Sequence, residues 1–137
     1  TPHPGEAGRL LNSSTESIQK DRFTAIKALQ KKWGGSVLLK GSGSLIYHDK
    51  GPFKLCPYGN PGMATGGMGD VLSGIIGGII AQGILKEKAL ELAVCLHAYA
   101  ADIVADKNGQ LGMLASDLIP VSRAVLNRDL DEDKLNL

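Results

Sequence analysis

Residues 59–70 read Gly59-Asn60-Pro61-Gly62-Met63-Ala64-Thr65-Gly66-Gly67-Met68-Gly69-Asp70 and lead directly into the uncharged stretch Val71–Leu85. Glycine makes up 18 of the 137 residues, nearly twice its usual share of roughly 7%. A glycine-rich loop just before an apolar helix can turn several backbone N–H groups toward one point, at the positive end of the helix dipole. The stretch therefore predicts a helix over Val71–Ala81 and, at its start, a possible anion site.

The loop does not match the commonest phosphate-binding motifs. It is no Walker loop, because no Gly-Lys-Ser/Thr follows, and Leu72 stands where a dinucleotide fingerprint has its third glycine. Glycine content alone is equally compatible with a helix start that serves only packing. Asp70 favours the anion site, because a carboxylate there repels an anion unless it has a chemical role. Beside a bound phosphoryl group it can accept the proton of an attacking hydroxyl.

The rest of the chain carries a helix pattern, then three short strand patterns, then further helix patterns. We predict helices over Gly5–Leu11, from a capping box at Ser13–Glu16 to Trp33, over Lys86–Asp106 and from Ser116 to Leu126, and strands over Val37–Leu39, Leu45–Tyr47 and Phe53–Cys56. In the second helix, Phe23, Ile26, Leu29 and Trp33 are expected to share one apolar face. This order of elements predicts an α/β layer architecture.

Charge and length argue against two classes of partner. The net charge is +1 from 15 basic and 14 acidic residues, and without a basic stripe we expect no binding to nucleic acid. A membrane helix needs about 20 apolar residues, so Val71–Leu85 is too short, and its Gly74 and Gly78 predict a close helix contact instead. Cys56 and Cys95 lack metal-ligand spacing and are expected to be reduced thiols of a cytoplasmic protein.

Three blocks of sequence resemble one known family. Thr65–Asp70 resembles the Gly-x-Gly-Asp signature of the ribokinase-like superfamily, and the longer string Gly59–Asp70 resembles its branch of ADP-dependent NAD(P)H-hydrate dehydratases. Thr1–Ala7 is similar to that branch's Thr-Pro-His-Pro-Gly-Glu segment. Lys40–Ser44 is similar to its third block, although a threonine is more usual where Ser44 stands. The resemblance implies a ribokinase-like three-layer α/β/α sandwich, of which this chain is the C-terminal half.

The resemblance also implies a reaction and a set of roles. The family dehydrates hydrated NADH or NADPH: ADP (or ATP), with Mg²⁺, phosphorylates the ring hydroxyl, and phosphate then leaves. Asp70 would accept the hydroxyl proton, and an anion hole would come from Gly66, Gly67, Met68 and Gly69. The nucleotide would be held by Lys40, Gly41, Ser42, Gly43, Ser44 and Gly69. His3 and Asp70 would contact the hydrate, and Glu6 would contact Mg²⁺ through water.

The same resemblance implies partners and leaves alternatives open. We expect a missing N-terminal half-domain, an epimerase that is fused or separate, and a homo-oligomer. Residues 1–127 would belong to the dehydratase domain, and residues 128–137 would form an acidic, flexible tail. One alternative is a ribokinase-like kinase for a vitamin precursor or a sugar, and another is a half-domain that binds a nucleotide without turnover.

Overall fold

The computed structural model describes residues 1–127 of the chain. The chain divides into two compact units, Thr1–Pro57 (unit 1) and Tyr58–Leu137 (unit 2). Each unit has its own cluster of buried apolar side chains. The predicted acidic tail, residues 128–137, lies outside the described residues.

Unit 1 has three helices followed by a small sheet. Its elements are α1 (Pro4–Leu11), α2 (Thr15–Lys20), α3 (Arg22–Trp33), β1 (Val37–Leu39), β2 (Ser44–Tyr47) and β3 (Lys54–Cys56). The strands are antiparallel in the order β1-β2-β3, with Leu38 opposite Ile46 and Leu45 opposite Leu55. The three predicted strands are confirmed, and their bounds differ from the prediction by at most one residue.

The prediction of a single helix up to Trp33 is wrong. The helix is broken at Asp21, which is the C-cap of α2 and the N-cap of α3. One Asp21 carboxylate oxygen accepts a hydrogen bond from the Thr24 backbone N–H at 2.9 Å, and the other accepts from the Thr24 hydroxyl at 2.7 Å. Such a side chain caps a new helix. The cap of α2 is Ser14, which accepts from the Ser17 N–H, so the predicted box at Ser13–Glu16 is also wrong. Helical periodicity did not reveal the break, since the residues on both sides of Asp21 are helical.

The core of unit 1 lies where α3 packs on the sheet. Ile26 and Leu29 are almost fully buried, whereas Phe23 and Trp33 are 53% and 60% exposed. Phe23 instead packs edge-on against Phe53, with ring centroids 5.0 Å apart. The buried residues of α3 are therefore Ala25, Ile26, Leu29 and Gln30, a different set from the four-residue face that the sequence predicts.

Unit 2 is helical in the described residues. Its helices are α4 (Met68–Ala81), α5 (Lys86–Asn108) and α6 (Leu118–Leu126), with short 3-10 turns at Pro61–Met63 and Ala115–Asp117. Helix α5 packs against both α4 and α6. The core cluster of unit 2 consists of Met68, Ala100, Ala101, Val104, Met113, Leu118 and Val121. Up to residue 127, none of the helices is both long and apolar enough to cross a membrane.

Helix α4 begins three residues earlier than predicted and buries only one side. Leu72 and Ile79 are buried, while a Cβ added at Gly74 or Gly78 would meet no atom within 4 Å. The predicted close packing through these glycines is therefore wrong for the described residues. The reason is helical geometry, since at 100° per residue the glycines lie on the side of α4 opposite Leu72 and Ile79.

Candidate active site

Helix α4 opens on a glycine rather than on a capping side chain. Its N-cap residue Gly67 has a φ of 88°, a left-handed conformation that glycine adopts without strain, and no side chain caps the helix. The Gly67 carbonyl accepts hydrogen bonds from the Asp70 and Val71 N–H groups, both at 3.0 Å. The N–H groups earlier in the first turn have no acceptor within the helix. They are available to an anion at this end of α4.

Asp70 is the third residue of α4 and its side chain is exposed. Within residues 1–127 its carboxylate forms no hydrogen bond or ion pair. Gly66 and Gly67 are exposed as well, whereas the Met68 side chain is buried in the core of unit 2. Met68 therefore anchors the helix start while the backbone beside it and the Asp70 carboxylate face solvent.

The loop Lys40–Ser44 in unit 1 is held by backbone and hydroxyl hydrogen bonds. It connects β1 to β2. The Lys40 N–H donates to the Pro2 carbonyl at 2.9 Å, and the Ser44 hydroxyl donates to the Gly41 carbonyl at 3.2 Å. Five of the six predicted nucleotide-binding residues thus form one tight turn whose ends are tied to the N-terminal segment and to β2, whereas the sixth, Gly69, lies in α4 of unit 2.

Arg22 fixes this loop from the other side and was missed by the sequence analysis. Its guanidinium donates to the Ser42 carbonyl at 2.9 Å and to the Leu39 carbonyl at 3.1 Å. The same group lies 3.1 Å from the point where a Cβ on Gly41 would stand. Burial lowers the pKa of Arg22 from its ordinary value. No local motif indicates this contact, because the hydrogen bonds join positions 17 and 20 residues apart.

His3 and Glu6 form a capping box at the start of α1. The His3 Nδ1 atom accepts hydrogen bonds from the N–H groups of Gly5 and Glu6, at 3.1 and 3.3 Å. In return the His3 N–H donates to Glu6 Oε2 at 2.7 Å. Because Nδ1 accepts, a neutral His3 ring carries its proton on Nε2. That atom lies 3.6 Å from Glu6 Oε1.

Glu6 also pairs with Lys40, whose Nζ lies 3.6 Å from Glu6 Oε2. The hydrogen bond from the His3 backbone N–H is the main reason why the pKa of Glu6 lies below its ordinary value. Burial opposes this shift, and the Lys40 charge adds to it. Glu6 therefore joins the N-terminal segment to the first residue of the loop Lys40–Ser44.

A direct metal site is not built into the described residues. Residues 1–127 contain no group of three or more His, Cys, Asp or Glu side chains that could hold a metal ion. Glu6, the predicted metal contact, already accepts from His3 and pairs with Lys40. A contact of Glu6 with Mg²⁺ through water stays a prediction.

The predicted site residues form two groups, one in each unit. In unit 1, the ion pair and the capping box bring His3 and Glu6 to Lys40 and its loop. In unit 2, the glycine loop and the first turn of α4 bring Gly66 to Asp70 together. The first group presents a cation and a tight turn, and the second presents N–H groups beside a free carboxylate.

Three comparisons bear on these groups. Residues 1–123 match the family described as NAD(P)H-hydrate dehydratase. The bifunctional NAD(P)H-hydrate repair enzyme Nnr of Coxiella burnetii is 52% identical over 127 residues, which are 93% of this chain and 26% of that protein. The crystal structure of the ADP/ATP-dependent NAD(P)H-hydrate dehydratase of Bacillus subtilis, co-crystallized with ATP and Mg²⁺, superimposes with a TM-score of 0.87 at 31% identity.

The chain spans only part of each relative. It covers 46% of the Bacillus subtilis chain, while 93% of its own residues are matched. A ribokinase-like superfamily protein of Enterococcus faecalis superimposes with a TM-score of 0.73 at 32% identity, over 93% of this chain and 42% of the other. The fold is therefore the ribokinase-like α/β fold over a part of its length, and the chain belongs to the NAD(P)H-hydrate dehydratase family.

Proposed function

We propose that this chain carries the phosphoryl-transfer part of an ADP-dependent dehydratase that acts on hydrated NADH and NADPH. The observation that carries the proposal is the start of α4. There Asp70, an exposed carboxylate that has no partner within residues 1–127, follows a glycine that leaves the helix uncapped. A phosphoryl group at this position would meet N–H donors, and the hydroxyl that attacks it would meet a proton acceptor.

The chemistry explains why a phosphoryl donor is needed to remove water. Hydroxide leaves a carbon atom poorly, whereas phosphate leaves well. The hydroxyl oxygen of the hydrate attacks the terminal phosphorus of ADP, AMP departs, and the hydroxyl proton passes to Asp70. The electron pair on the ring nitrogen then displaces phosphate, and loss of a proton from the adjacent ring carbon restores the double bond. The chain needs to supply only positioning and charge stabilisation.

We assign the remaining roles by the properties of the two groups. The N–H groups of Gly66–Gly69 would stabilise the transferred phosphoryl oxygens. The loop Lys40–Ser44, together with Gly69, would hold the ADP, because its tight hydrogen bonding reduces the entropy that binding must remove. His3 would meet the hydrate through Nε2, since its Nδ1 is engaged in the cap of α1.

We propose that Mg²⁺ binds with the nucleotide and that the chain works together with further protein parts. Within residues 1–127 no set of side chains fits Mg²⁺ as a direct site, so we assign its binding to phosphate oxygens and water. The Coxiella burnetii relative is named bifunctional, and we propose that the second activity is an epimerase, fused to this chain or separate from it. We also propose that a further half-domain completes the hydrate site, that the protein forms a homo-oligomer, and that it works in the cytoplasm, where reduced thiols persist.

The test is an assay of hydrated NADH with ADP and Mg²⁺ that follows the return of nicotinamide absorbance and the release of phosphate. It is run on the chain alone and on the chain joined to the part of the Coxiella burnetii relative that it does not cover. We expect turnover in at least the joined form. The Asp70→Asn variant should lose on the order of 10²–10⁴-fold in kcat while it still binds ADP.

A matched control is Asp106→Asn, which removes an exposed carboxylate from α5 of the same unit and should leave kcat unchanged. Full activity of Asp70→Asn would contradict the role of Asp70 as proton acceptor. A stable phosphorylated product without release of phosphate would identify a small-molecule kinase instead. Binding of ADP without turnover in both forms would identify a nucleotide-binding half-domain.

A further inference from the structure

Asp102, in the middle of α5, is hydrogen-bonded to the first residues of the glycine-rich loop. Its Oδ2 atom accepts from the Gly59 N–H at 2.9 Å, and its Oδ1 atom accepts from the Asn60 side-chain Nδ2 at 2.9 Å. The Asn60 Oδ1 atom in turn accepts from the Gly62 N–H at 3.0 Å. The Asp102 carboxylate thereby binds two groups of a loop that lies more than 40 positions away in sequence, and the Asn60 amide extends the network to Gly62.

The position of Asp102 is itself fixed by the core of unit 2. Its neighbours Ala100, Ala101 and Val104 on α5 are almost fully buried and belong to the core cluster of this unit. A residue on such a helix cannot shift without disturbing that packing. The Asp102 carboxylate is therefore a fixed point to which the more exposed loop is tied.

The geometry allows only one arrangement of the Asn60 amide. Its nitrogen must face the Asp102 carboxylate, because that group only accepts, and its oxygen must face the Gly62 N–H, because that group only donates. With this orientation Asn60 caps the 3-10 turn Pro61–Met63. Asp102 thus determines the direction in which the turn starts.

The 3-10 turn Pro61–Met63 links the position of Asn60 to the start of α4. Gly62 has no free space, because a Cβ there would lie 2.8 Å from the Gln110 carbonyl oxygen and 2.9 Å from Asn60 Oδ1. Met63 packs against the same core cluster that contains Met68. Only residues 64–67 separate these two anchored methionines. A displacement of the turn would therefore move Gly66 and Gly67 relative to α4.

We propose that Asp102 is a positioning residue: through Asn60 it holds the glycine-rich loop so that the N–H groups of Gly66–Gly69 converge beside Asp70. This inference rests on the proposed function, because the loop and Asp70 act there on the transferred phosphoryl group. It explains why the string Gly59–Gly62, which has no partner in the reaction itself, accompanies the helix start.

Three variants test the proposal by exchanging donors and acceptors. Asp102→Asn supplies one acceptor for two donors, so its NH₂ group faces either the Asn60 NH₂ group or the Gly59 N–H, and Asn60→Asp places two carboxylates together. The double variant Asn60→Asp/Asp102→Asn restores every pair: the new amide donates to the new carboxylate and accepts from the Gly59 N–H, and the new carboxylate accepts from the Gly62 N–H. Asp106→Asn serves as a control outside this network.

The decisive comparison is steady-state kinetics of the variants. They are measured in whichever form, the chain alone or the joined chain, is active with the wild-type sequence. We expect each single variant to lower kcat about tenfold with the KM for ADP nearly unchanged, and the double variant to recover kcat to within about threefold of the wild type. Single variants that keep wild-type kcat would overturn the proposal. So would a double variant that folds with the wild-type melting temperature but shows no recovery. If the single variants do not fold, the double variant alone decides, and an inactive or unfolded double variant would overturn the proposal.

Amide hydrogen exchange separates this proposal from the proposed function, because it needs no turnover. In Asp102→Asn the hydrogen-bonded N–H groups of Gly59 and Gly62, and those of Asp70 and Val71 that donate to the Gly67 carbonyl, should exchange faster, while those of α6 keep the wild-type rate. This pattern in a protein without dehydratase activity would contradict the proposed function and support the positioning role. Unchanged exchange of the loop in an active enzyme would contradict the positioning role alone.

Discussion

The two loops that carry the candidate site residues are held in opposite ways. In unit 1 the loop Lys40–Ser44 donates from the Lys40 N–H to Pro2, is closed by the Ser44 hydroxyl on the Gly41 carbonyl, and accepts from the Arg22 side chain at Ser42. In the segment 64–67 of unit 2 the Ala64 N–H donates to the Pro61 carbonyl, the flanking methionines pack on or in the core, and a Cβ on Gly66 would meet nothing within 4 Å. A tight loop suits a group that must be bound without loss of entropy. An open loop keeps N–H groups free for charge that arrives from outside the chain.

The largest effect on stability is expected at the flank of the open loop. Gly62→Ala should lower the free energy of unfolding by about 2.5 kcal/mol, because its Cβ would lie 2.8 Å from the Gln110 carbonyl oxygen, which belongs to the backbone. The control Gly66→Ala, in open space, should change stability by less than about 0.5 kcal/mol. Urea denaturation measures both. Equal effects of the two substitutions would contradict the contrast between an anchored flank and an open centre.

The next largest effect is expected in the tight loop. Arg22→Met keeps most of the side-chain length but removes the hydrogen bonds to Leu39 and Ser42, so we expect a loss of about 1.5–2 kcal/mol. ADP affinity, measured by calorimetry, should fall as well because the loop becomes less ordered. Arg9→Met, at an exposed position at the end of α1, is the matched control. Unchanged ADP affinity in Arg22→Met would mean that loop order does not contribute to binding.

A smaller effect is expected from pH. The pKa of Glu6 is lowered below its ordinary value of 4.5, so the folded state favours the ionised carboxyl. This stabilisation is present above the unfolded pKa and is lost as the pH falls through the folded pKa. Because the side chain is 40% exposed, we expect less than about 1 kcal/mol. Glu6→Gln should flatten this part of the stability curve, whereas Glu16→Gln, which is exposed on α2, should leave it unchanged.

The smallest effect is expected on the open face of α4. Gly74→Ala and Gly78→Ala should each raise the free energy of unfolding by a few tenths to about 1 kcal/mol, because alanine favours the helix and has free space there. Thermal melting of the chain alone measures this gain. If Gly74→Ala or Gly78→Ala stabilises the chain alone but inactivates the chain joined to the rest of the Coxiella burnetii relative, another part of that enzyme covers this face of α4.

Local sequence patterns predicted the elements better than the contacts. The strand Val37–Leu39 is short and wholly apolar, and all three of its residues are buried. It forms where predicted because an apolar run can be buried on both faces of a sheet. Periodicity did not reveal the helix break at Asp21, which a capping hydrogen bond decides. It also placed Phe23 and Trp33 in the core, whereas α3 buries Ala25 and Gln30 beside Ile26 and Leu29.

The candidate site was predictable where neighbouring residues build it. The glycine at the start of α4 and the carboxylate three positions later, at Asp70, are close in sequence, so their placement in the first turn follows from the helix that they begin. The contacts of Arg22 with Ser42 and of Asp102 with Gly59 join distant positions. No local pattern encodes them, because a side chain that donates to or accepts from a distant backbone leaves no periodic signal.

The amino-acid sequence by itself determined the helix and strand order, the glycine-rich start of α4 with Asp70 in its first turn, and the resemblance to dehydratases. These features depend on backbone freedom, local charge and short-range hydrogen bonds. Only the tertiary structure decided that Glu6 pairs with Lys40 and that the glycines of α4 face open space. Such features depend on how buried apolar side chains bring separate segments together, and many different sequences encode that packing equally well.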